Sequence, residues 1–202
     1  VFGGAIALHQ AQIVNKELSM VQKQELQTAE KQAIARYAAS LIEPDDCVYL
    51  DAGTTTGWMI EYIRQEKATY VTNALSHAKR LADKGFGVIL IGGEPKSSTD
   101  AIVGAEAVLN LQKYHFSKGF FGVNGVDRMS GFTTPDAREA MVKQVAVKNT
   151  QPAHRYFLTT ASKFGEVYAV TFAGFESGVI LTEDNVSEAL PKSIEIVKVG
   201  KN

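Results

Sequence analysis

Asp51–Ala52–Gly53–Thr54–Thr55–Thr56–Gly57 is the stretch of this sequence where small and hydroxyl residues are most concentrated. Val48–Asp51 before it reads as the end of a buried strand, and Trp58–Arg64 after it reads as a helix. A strand that stops at a glycine turn and enters a helix aims backbone N–H groups and hydroxyls above the strand's carboxyl end. The helix N-terminus adds partial positive charge there, so a phosphate is the natural guest. The competing reading is that Thr55 or Thr56 simply caps the helix. One hydroxyl suffices for a cap, and three in a row between two glycines exceed that need.

Other groups could join such a site. Asp136, with Glu139 three residues on, has capping-box spacing, and Glu139 with Lys143 has the i,i+4 spacing of an ordinary helix ion pair. The same three groups could instead face the strand ends and bind sugar hydroxyls. Lys163 follows an apolar strand and Lys31 lies in the first turn of a helix; either is a phosphate ligand or a solvated lysine. Asn73, Gly92–Gly93–Glu94 and Asn124–Gly125 all fall at predicted strand ends, where they serve as turn residues or as ligand contacts. Nucleophilic chemistry has no support, because Ser162 lacks a Gly-x-Ser-x-Gly setting and none of the four histidines sits in a recognisable role. The absence of Gly-x-Gly-x-x-Gly disfavours a dinucleotide, and four scattered His with one Cys give no metal spacing, so no cofactor or metal is expected.

The elements that must position these groups follow a regular order. Residues 1–27 read as an arm, with turn chemistry at Phe2–Gly3–Gly4–Ala5 and a Gln-rich polar stretch after it. Thr28–Ile42 has helical periodicity, with Ile34, Ala38, Leu41 and Ile42 on one face. Strands follow at Val48–Asp51, Thr69–Asn73 and Val88–Ile91, separated by helices at Trp58–Gln65 and Leu75–Leu81. Further helices are expected at Ala105–Tyr114 and Asp136–Asn149, the latter with Ala137, Met141 and Val145 along one side. Gly119–Val123, Tyr156–Thr160, Gly178–Leu181 and Ile194–Val197 complete the strands. Strands alternating with helices predict a mostly parallel sheet flanked by helices, a three-layer Rossmann-like α/β domain over 28–202. Ligands bind such sheets outside the carboxyl ends of the strands.

Composition is that of an ordinary globular chain: 202 residues, 45% hydrophobic, 21% charged and a formal net charge of −1. That balance argues against this chain holding nucleic acid by itself, since such domains carry a basic surplus. The single Cys47 cannot form an internal disulfide and reads as a buried thiol beside a strand. No apolar run is long enough to span a bilayer and no signal-peptide pattern opens the chain, so the expected compartment is the cytoplasm. A start at Val1 is expected of a piece cut from a longer protein.

Over nearly its whole length the chain resembles the effector-binding domain of DeoR-type transcriptional repressors. The resemblance rests on Phe2–Ala5, Glu30–Lys31 with Ile34–Ala35, Asp51–Thr56, Val71–Asn73, Gly92–Gly93, Gly122–Gly125, Glu139 through Lys143 and Ser162–Gly165. Asn15–Lys16–Glu17–Leu18–Ser19 and Thr133–Thr134–Pro135–Asp136 are most similar to fructose-operon repressors. The resemblance implies a helix-turn-helix domain ahead of the 1–27 arm, operator DNA as that domain's partner, and a homo-oligomer. It also implies a fold of the ribose-5-phosphate isomerase and CoA-transferase type and a phosphorylated sugar, fructose 1-phosphate, as effector.

Carried over by that likeness, phosphate falls to Gly53, Thr54, Thr55, Thr56, Lys31 and Lys163. The sugar falls to Asp51, Asn73, Gly93, Glu94, Asn124, Gly125, Asp136, Glu139 and Lys143. The chain departs from the isomerase at its Lys-Gly-Gly-Gly segment, here Met129–Thr134, and at an acidic pair that becomes Asn124 and Asp127. An amide in place of a carboxylate base implies binding without turnover. An active sugar-phosphate isomerase is the alternative.

Overall fold

The computed structural model describes residues 12–14, 20–184 and 194–200. Phe2–Ala5 and Asn15–Ser19 lie outside them. In chain order come β1 (Gln12–Ile13), α1 (Met20–Glu25), α2 (Thr28–Ser40), β2 (Cys47–Leu50), α3 (Thr54–Tyr62), β3 (Thr69–Thr72), α4 (Leu75–Asp83) and β4 (Gly87–Leu90). A hairpin of β5 (Glu94–Lys96) and β6 (Ala101–Val103) leads to α5 (Ala105–Leu111) and β7 (Lys118–Gly122). A second hairpin, β8 (Gly125–Asp127) and β9 (Gly131–Thr134), leads to α6 (Ala137–Lys148). The remaining strands are β10 (Arg155–Leu158), β11 (Glu166–Val167), β12 (Val170–Ala173), β13 (Val179–Glu183) and β14 (Ile196–Val199).

Seven strands form one parallel sheet in the order β14-β13-β10-β7-β2-β3-β4. The chain builds outward from β2 to β3 and β4, then crosses back to lay β7, β10, β13 and β14 on the other side. The order therefore reverses between β2 and β7, and the crevice above their carboxyl ends is where such sheets take ligands.

The two-residue period of the strands makes two cores. Val48, Leu50, Tyr70, Phe120, Leu158 and Leu181 face α2 and α3, where Ile34, Ala38, Met59 and Ile60 meet them. Tyr49, Val71, Phe121, Phe157 and Ile180 face the opposite layer, with Leu111 of α5 and Val142 and Ala146 of α6. Phe132 of β9 stacks on Phe157 at a centroid distance of 3.8 Å, which fastens the small antiparallel sheet β12-β9-β8 to the main one. Truncating either ring to alanine costs about 3–5 kcal/mol.

Several local expectations are corrected. The helix predicted from Trp58 begins at Thr54, because Gly53 takes the cap position and the threonines fill the first turn. Neither Thr55 nor Thr56 is the cap residue. The α6 face marked by Met141 is not its buried face: Met141 is 52% exposed, while Glu139, Ala140, Val142 and Lys143 point inward. Strand β4 ends the sheet and leaves Ile89 and Leu90 38% exposed. Residues 20–27, read as arm, include helix α1. Among the described residues no helix is long and apolar enough to cross a membrane.

Candidate functional site

Asp51, placed by β2 at the point where the strand order reverses and 1% exposed, lies beneath the site and, against expectation, does not line its cavity. One carboxylate oxygen accepts the N–H of Gly53 (2.9 Å) and the other the N–H of Gly122 (2.9 Å), tying the ends of β2 and β7 together. Two glycines are needed here. A Cβ on Gly122 would stand 3.3 Å from the Gly53 Cα and 3.4 Å from the Asp51 carboxylate. Lys143, reaching inward from α6, donates to Asp51 and to the Gly122 carbonyl (2.9 Å). The expected Glu139–Lys143 helix pair is thus not made. Glu139 instead accepts from Lys96 of β5 (3.0 Å) and from the Thr99 hydroxyl (2.5 Å).

Above Asp51 runs the Gly53–Thr56 turn. The first helical bond of α3 is Gly57 N–H to the Gly53 carbonyl (3.0 Å), so the amides of Thr54, Thr55 and Thr56 precede the ladder. Thr56 is fully buried and its hydroxyl is spent on the turn. It accepts from the Gly53 N–H (3.0 Å) and lies 2.8 Å from the Asp51 and Gly53 carbonyls, one of which takes its single proton. Neither reading of this turn holds for all three threonines. Thr56 stabilises the helix start, and Thr54 and Thr55 line a cavity.

That cavity has a volume of about 220 Å³. Gly53, Thr54, Thr55, Lys31, Lys163, Asn124, Glu139 and Lys143, all marked from sequence, line it. Sequence reasoning missed Lys23, Gln27, Thr99, Glu166 and Tyr168. Lys163 stands in a single 3₁₀ turn, Ala161–Lys163, whose Ala161 N–H is held by the buried Glu183 carboxylate (2.8 Å). Its ammonium donates to the Val123 carbonyl. Lys31 is 3% exposed and donates to the Lys23 carbonyl.

Burial, and then the nearby charges of Lys31, Lys23 and Lys143, push the Lys163 pKa down to about 7, against a weaker pull upward from Glu166. Burial, then Lys23, brings Lys31 to about 8. Two desolvated cations that meet carbonyls rather than carboxylates make a site for an anion.

The other marked residues lie outside the lining. Asn73 binds inward, accepting from the Tyr49 hydroxyl (3.0 Å) and donating to the Ile102 carbonyl (3.3 Å), so it fastens the β5–β6 hairpin. Gly93, at φ 143°, is a packing position: a Cβ would meet the Val103 carbonyl at 2.7 Å. Glu94 is exposed on β5. Gly125 lies against β11, where a Cβ would fall 2.3 Å from the Glu166 carbonyl. Asp136 caps α6, accepting from the Arg138 and Glu139 amides (2.7 and 3.2 Å), and pairs with Lys96 (2.9 Å). Asp127 accepts from the Met129 and Ser130 amides (2.9 and 2.8 Å), folding the β8–β9 turn rather than entering the cavity. Asn124 does line the cavity, and its oxygen accepts from Thr134 (3.3 Å).

The family model for the DeoR C terminal sensor domain matches residues 26–185. The chain belongs to this DeoR sensor-domain family. Among its relatives, an uncharacterized HTH-type transcriptional regulator, FruR, of Bacillus subtilis (strain 168) is 42% identical over 185 residues. That match covers 91% of this chain and 72% of that protein. The lactose phosphotransferase system repressor of Staphylococcus aureus (strain N315) is 35% identical over 186 residues, again 91% and 72%. Ribose 5 phosphate isomerase A from Neisseria gonorrhoeae is similar in structure with a TM-score of 0.48 and 12% identity. That match covers 66% of this chain and 52% of the isomerase chain.

Proposed function

We propose that the cavity binds the phosphate of a phosphorylated sugar, fructose 1-phosphate, and that the chain is the effector-sensing domain of a transcriptional repressor of sugar metabolism. One observation carries the reading: Lys31 and Lys163, from opposite ends of the chain, meet at the N-terminus of α3 with backbone carbonyls as acceptors. A dianion supplies what they lack. Thr54 and Thr55 add N–H and hydroxyl donors, and Asn124, Glu139 and Lys143 face the sugar hydroxyls. A volume of about 220 Å³ falls below the roughly 300–1,000 Å³ of pockets for drug-sized ligands, and suits a monosaccharide phosphate. The choice of fructose rests on the likeness of Asn15–Ser19 and Thr133–Asp136 to fructose-operon repressors.

On this reading residues 1–27 join the sensor to a helix-turn-helix domain that reads operator DNA. The protein works in the cytoplasm as a symmetric oligomer, because two-fold repressors read two-fold operators. Effector binding alters DNA affinity to the extent that the two states of the protein bind the sugar phosphate differently.

A thermal-shift and calorimetric screen of sugar phosphates tests this. Fructose 1-phosphate at ~100 times its Kd is expected to stabilise the fold by roughly 2.7 kcal/mol. No shift with any sugar phosphate would refute the site.

The buried Glu139 carboxylate on the cavity is the observation that favours isomerase activity instead. It is tied to Lys96 and Thr99, and an amide, Asn124, stands where the likeness calls for an acid. An aldose–ketose interconversion assay is expected to show no turnover, and turnover would establish the enzyme.

A further inference from the structure

Thr99 lines the cavity from the turn of the β5–β6 hairpin and is 2% exposed. That turn is fixed from behind. Asp100, next in the chain, stands at φ 59° and accepts two amides at the start of α4: Leu75 through its carbonyl (3.2 Å) and Ser76 through its carboxylate (2.7 Å). The Ile102 N–H donates to the Asn73 carbonyl (2.6 Å), and the Asn73 side chain donates back to the Ile102 carbonyl (3.3 Å). The hairpin is thus tied to the end of β3 and the start of α4, and the main sheet sets where its turn stands.

Two side chains of the hairpin converge on one atom. The Thr99 hydroxyl (2.5 Å) and the Lys96 ammonium (3.0 Å) both donate to Glu139 Oε1. Asp136, the cap of α6, pairs with the same ammonium at 2.9 Å, so Lys96 is itself held in place. Glu139 Oε2 accepts from no group among the described residues. It is not sealed from solvent either, since His77 Nδ1 is the one fully buried side-chain nitrogen or oxygen among them without a partner. Glu139 lines the cavity, and Oε2 is the oxygen left to face it. An ionised carboxylate only accepts, so this atom calls for a donor from the ligand. The Thr99 hydroxyl, its single proton given to Oε1, likewise has only lone pairs to offer. Donors therefore gather at Thr54, Lys31 and Lys163, and acceptors gather where the hairpin meets α6.

We propose that the β5–β6 hairpin is the sugar-reading element of the site. Lys96 and Thr99 are positioning residues that pin Glu139 through Oε1 and so aim Oε2 at a hydroxyl of the bound sugar. The ligand this selects is a phosphate ester with a free hydroxyl that reaches Glu139 while its phosphate rests on Lys31 and Lys163. This inference rests on the sugar-phosphate reading above.

A double-mutant cycle on this chain tests it, read by calorimetry with fructose 1-phosphate as the probe. Thr99→Val removes the hydroxyl that holds Oε1. Glu139→Gln keeps a carbonyl for the two donors and offers the ligand an amide N–H in place of Oε2. Each is expected to weaken binding at least about tenfold. Because Thr99 acts through Glu139, the double variant is expected to stay within about twofold of Glu139→Gln alone. Lys163→Met, at the phosphate end, is expected to multiply its loss with that of Thr99→Val in full. Lys96→Met loosens Oε1 by a second route and follows the pattern of Thr99→Val, while Thr99→Ser restores binding. Unchanged affinity in both Thr99→Val and Lys96→Met, or losses that multiply with that of Glu139→Gln, would overturn the hairpin's role and leave the phosphate site intact. Absence of binding by every sugar phosphate in the unaltered chain would overturn the functional reading, and this one with it.

Discussion

Two lysines at opposite ends of the sheet show how differently one fold treats the same charge. Lys118 opens β7 at the amino end, where Glu43 (2.6 Å) and Asp46 (2.8 Å) both pair with it. Burial works against its charge, but the hydrogen bonds and charges of Asp46 and Glu43 outweigh that, and its pKa stands above the ordinary lysine value. Lys163 follows β10 at the carboxyl end, and its ammonium meets a carbonyl among three further lysines. Burial, helped by those lysines, brings it down to about 7. At the amino end the chain supplies its own counter-ions; at the carboxyl end Lys163 has a carbonyl instead, and the proposed sugar phosphate would take the counter-ion's part. Lys143 lines the same cavity as Lys163 but belongs with Lys118, because Asp51 answers its charge.

The comparison breaks if removing the paired lysines proves harmless. Lys143→Met leaves the Asp51 carboxylate buried without a counter-ion, and the expected loss is about 3–5 kcal/mol in chemical denaturation. Lys118→Met is expected to cost about 3 kcal/mol, since Glu43 is largely exposed and Asp46 keeps its hydrogen bond from Ser117 (2.7 Å). For a domain of this size that is a fall of roughly 6–12 °C in Tm. Lys163→Met has the opposite profile. The empty protein keeps its Tm or gains, because a desolvated charge gives way to an apolar stem, while sugar-phosphate affinity falls at least about 100-fold. A Tm as low as that of Lys118→Met would show that Lys163 is a structural residue.

The same contrast explains what could be read from sequence. Strands such as Val48–Leu50 and Thr69–Thr72 are apolar or β-branched runs between turns, and their order as helix-linked units fixes a parallel sheet. The inward face of α6 was hidden because it carries Glu139 and Lys143, buried charges whose partners come from β5 and β2. An apolar pattern therefore pointed to Met141, which faces solvent. The β5 strand reads Glu-Pro-Lys, so neither alternation nor β propensity betrays it, and the cavity residue Thr99 was lost with its hairpin. Lys23 and Gln27 sit in a Gln-rich stretch with no helical stripe to mark it. Spacing left Lys31 and Lys163 open between phosphate ligand and solvated lysine; family resemblance chose the first, and the fold brings both to one cavity.

The smallest effect is also the sharpest test of that difference. Unfolded lysines keep a pKa of about 10.4, whereas Lys163 and Lys31 stand at about 7 and about 8 in the folded, empty protein. Between those values the unfolded chain binds more protons, so stability without ligand is expected to rise as pH climbs from 7 toward 10 and to be lost as pH falls back. Binding runs the other way. A phosphate with its second pKa near ~6 is a dianion above that pH and requires both lysines charged. Affinity is therefore expected to be greatest near pH ~6.5–7 and to fall above pH ~8, approaching about tenfold per unit for each lysine that must take a proton. Calorimetry at pH 8 in two buffers of different ionisation heat measures that uptake directly. Between about one and two protons per sugar phosphate are expected, and about one fewer in Lys163→Met at concentrations that saturate it. Lys118, already charged through this range, contributes nothing to the count. Zero uptake would mean that the cavity lysines are as well paired as Lys118, and the distinction between the two ends of the sheet would be lost.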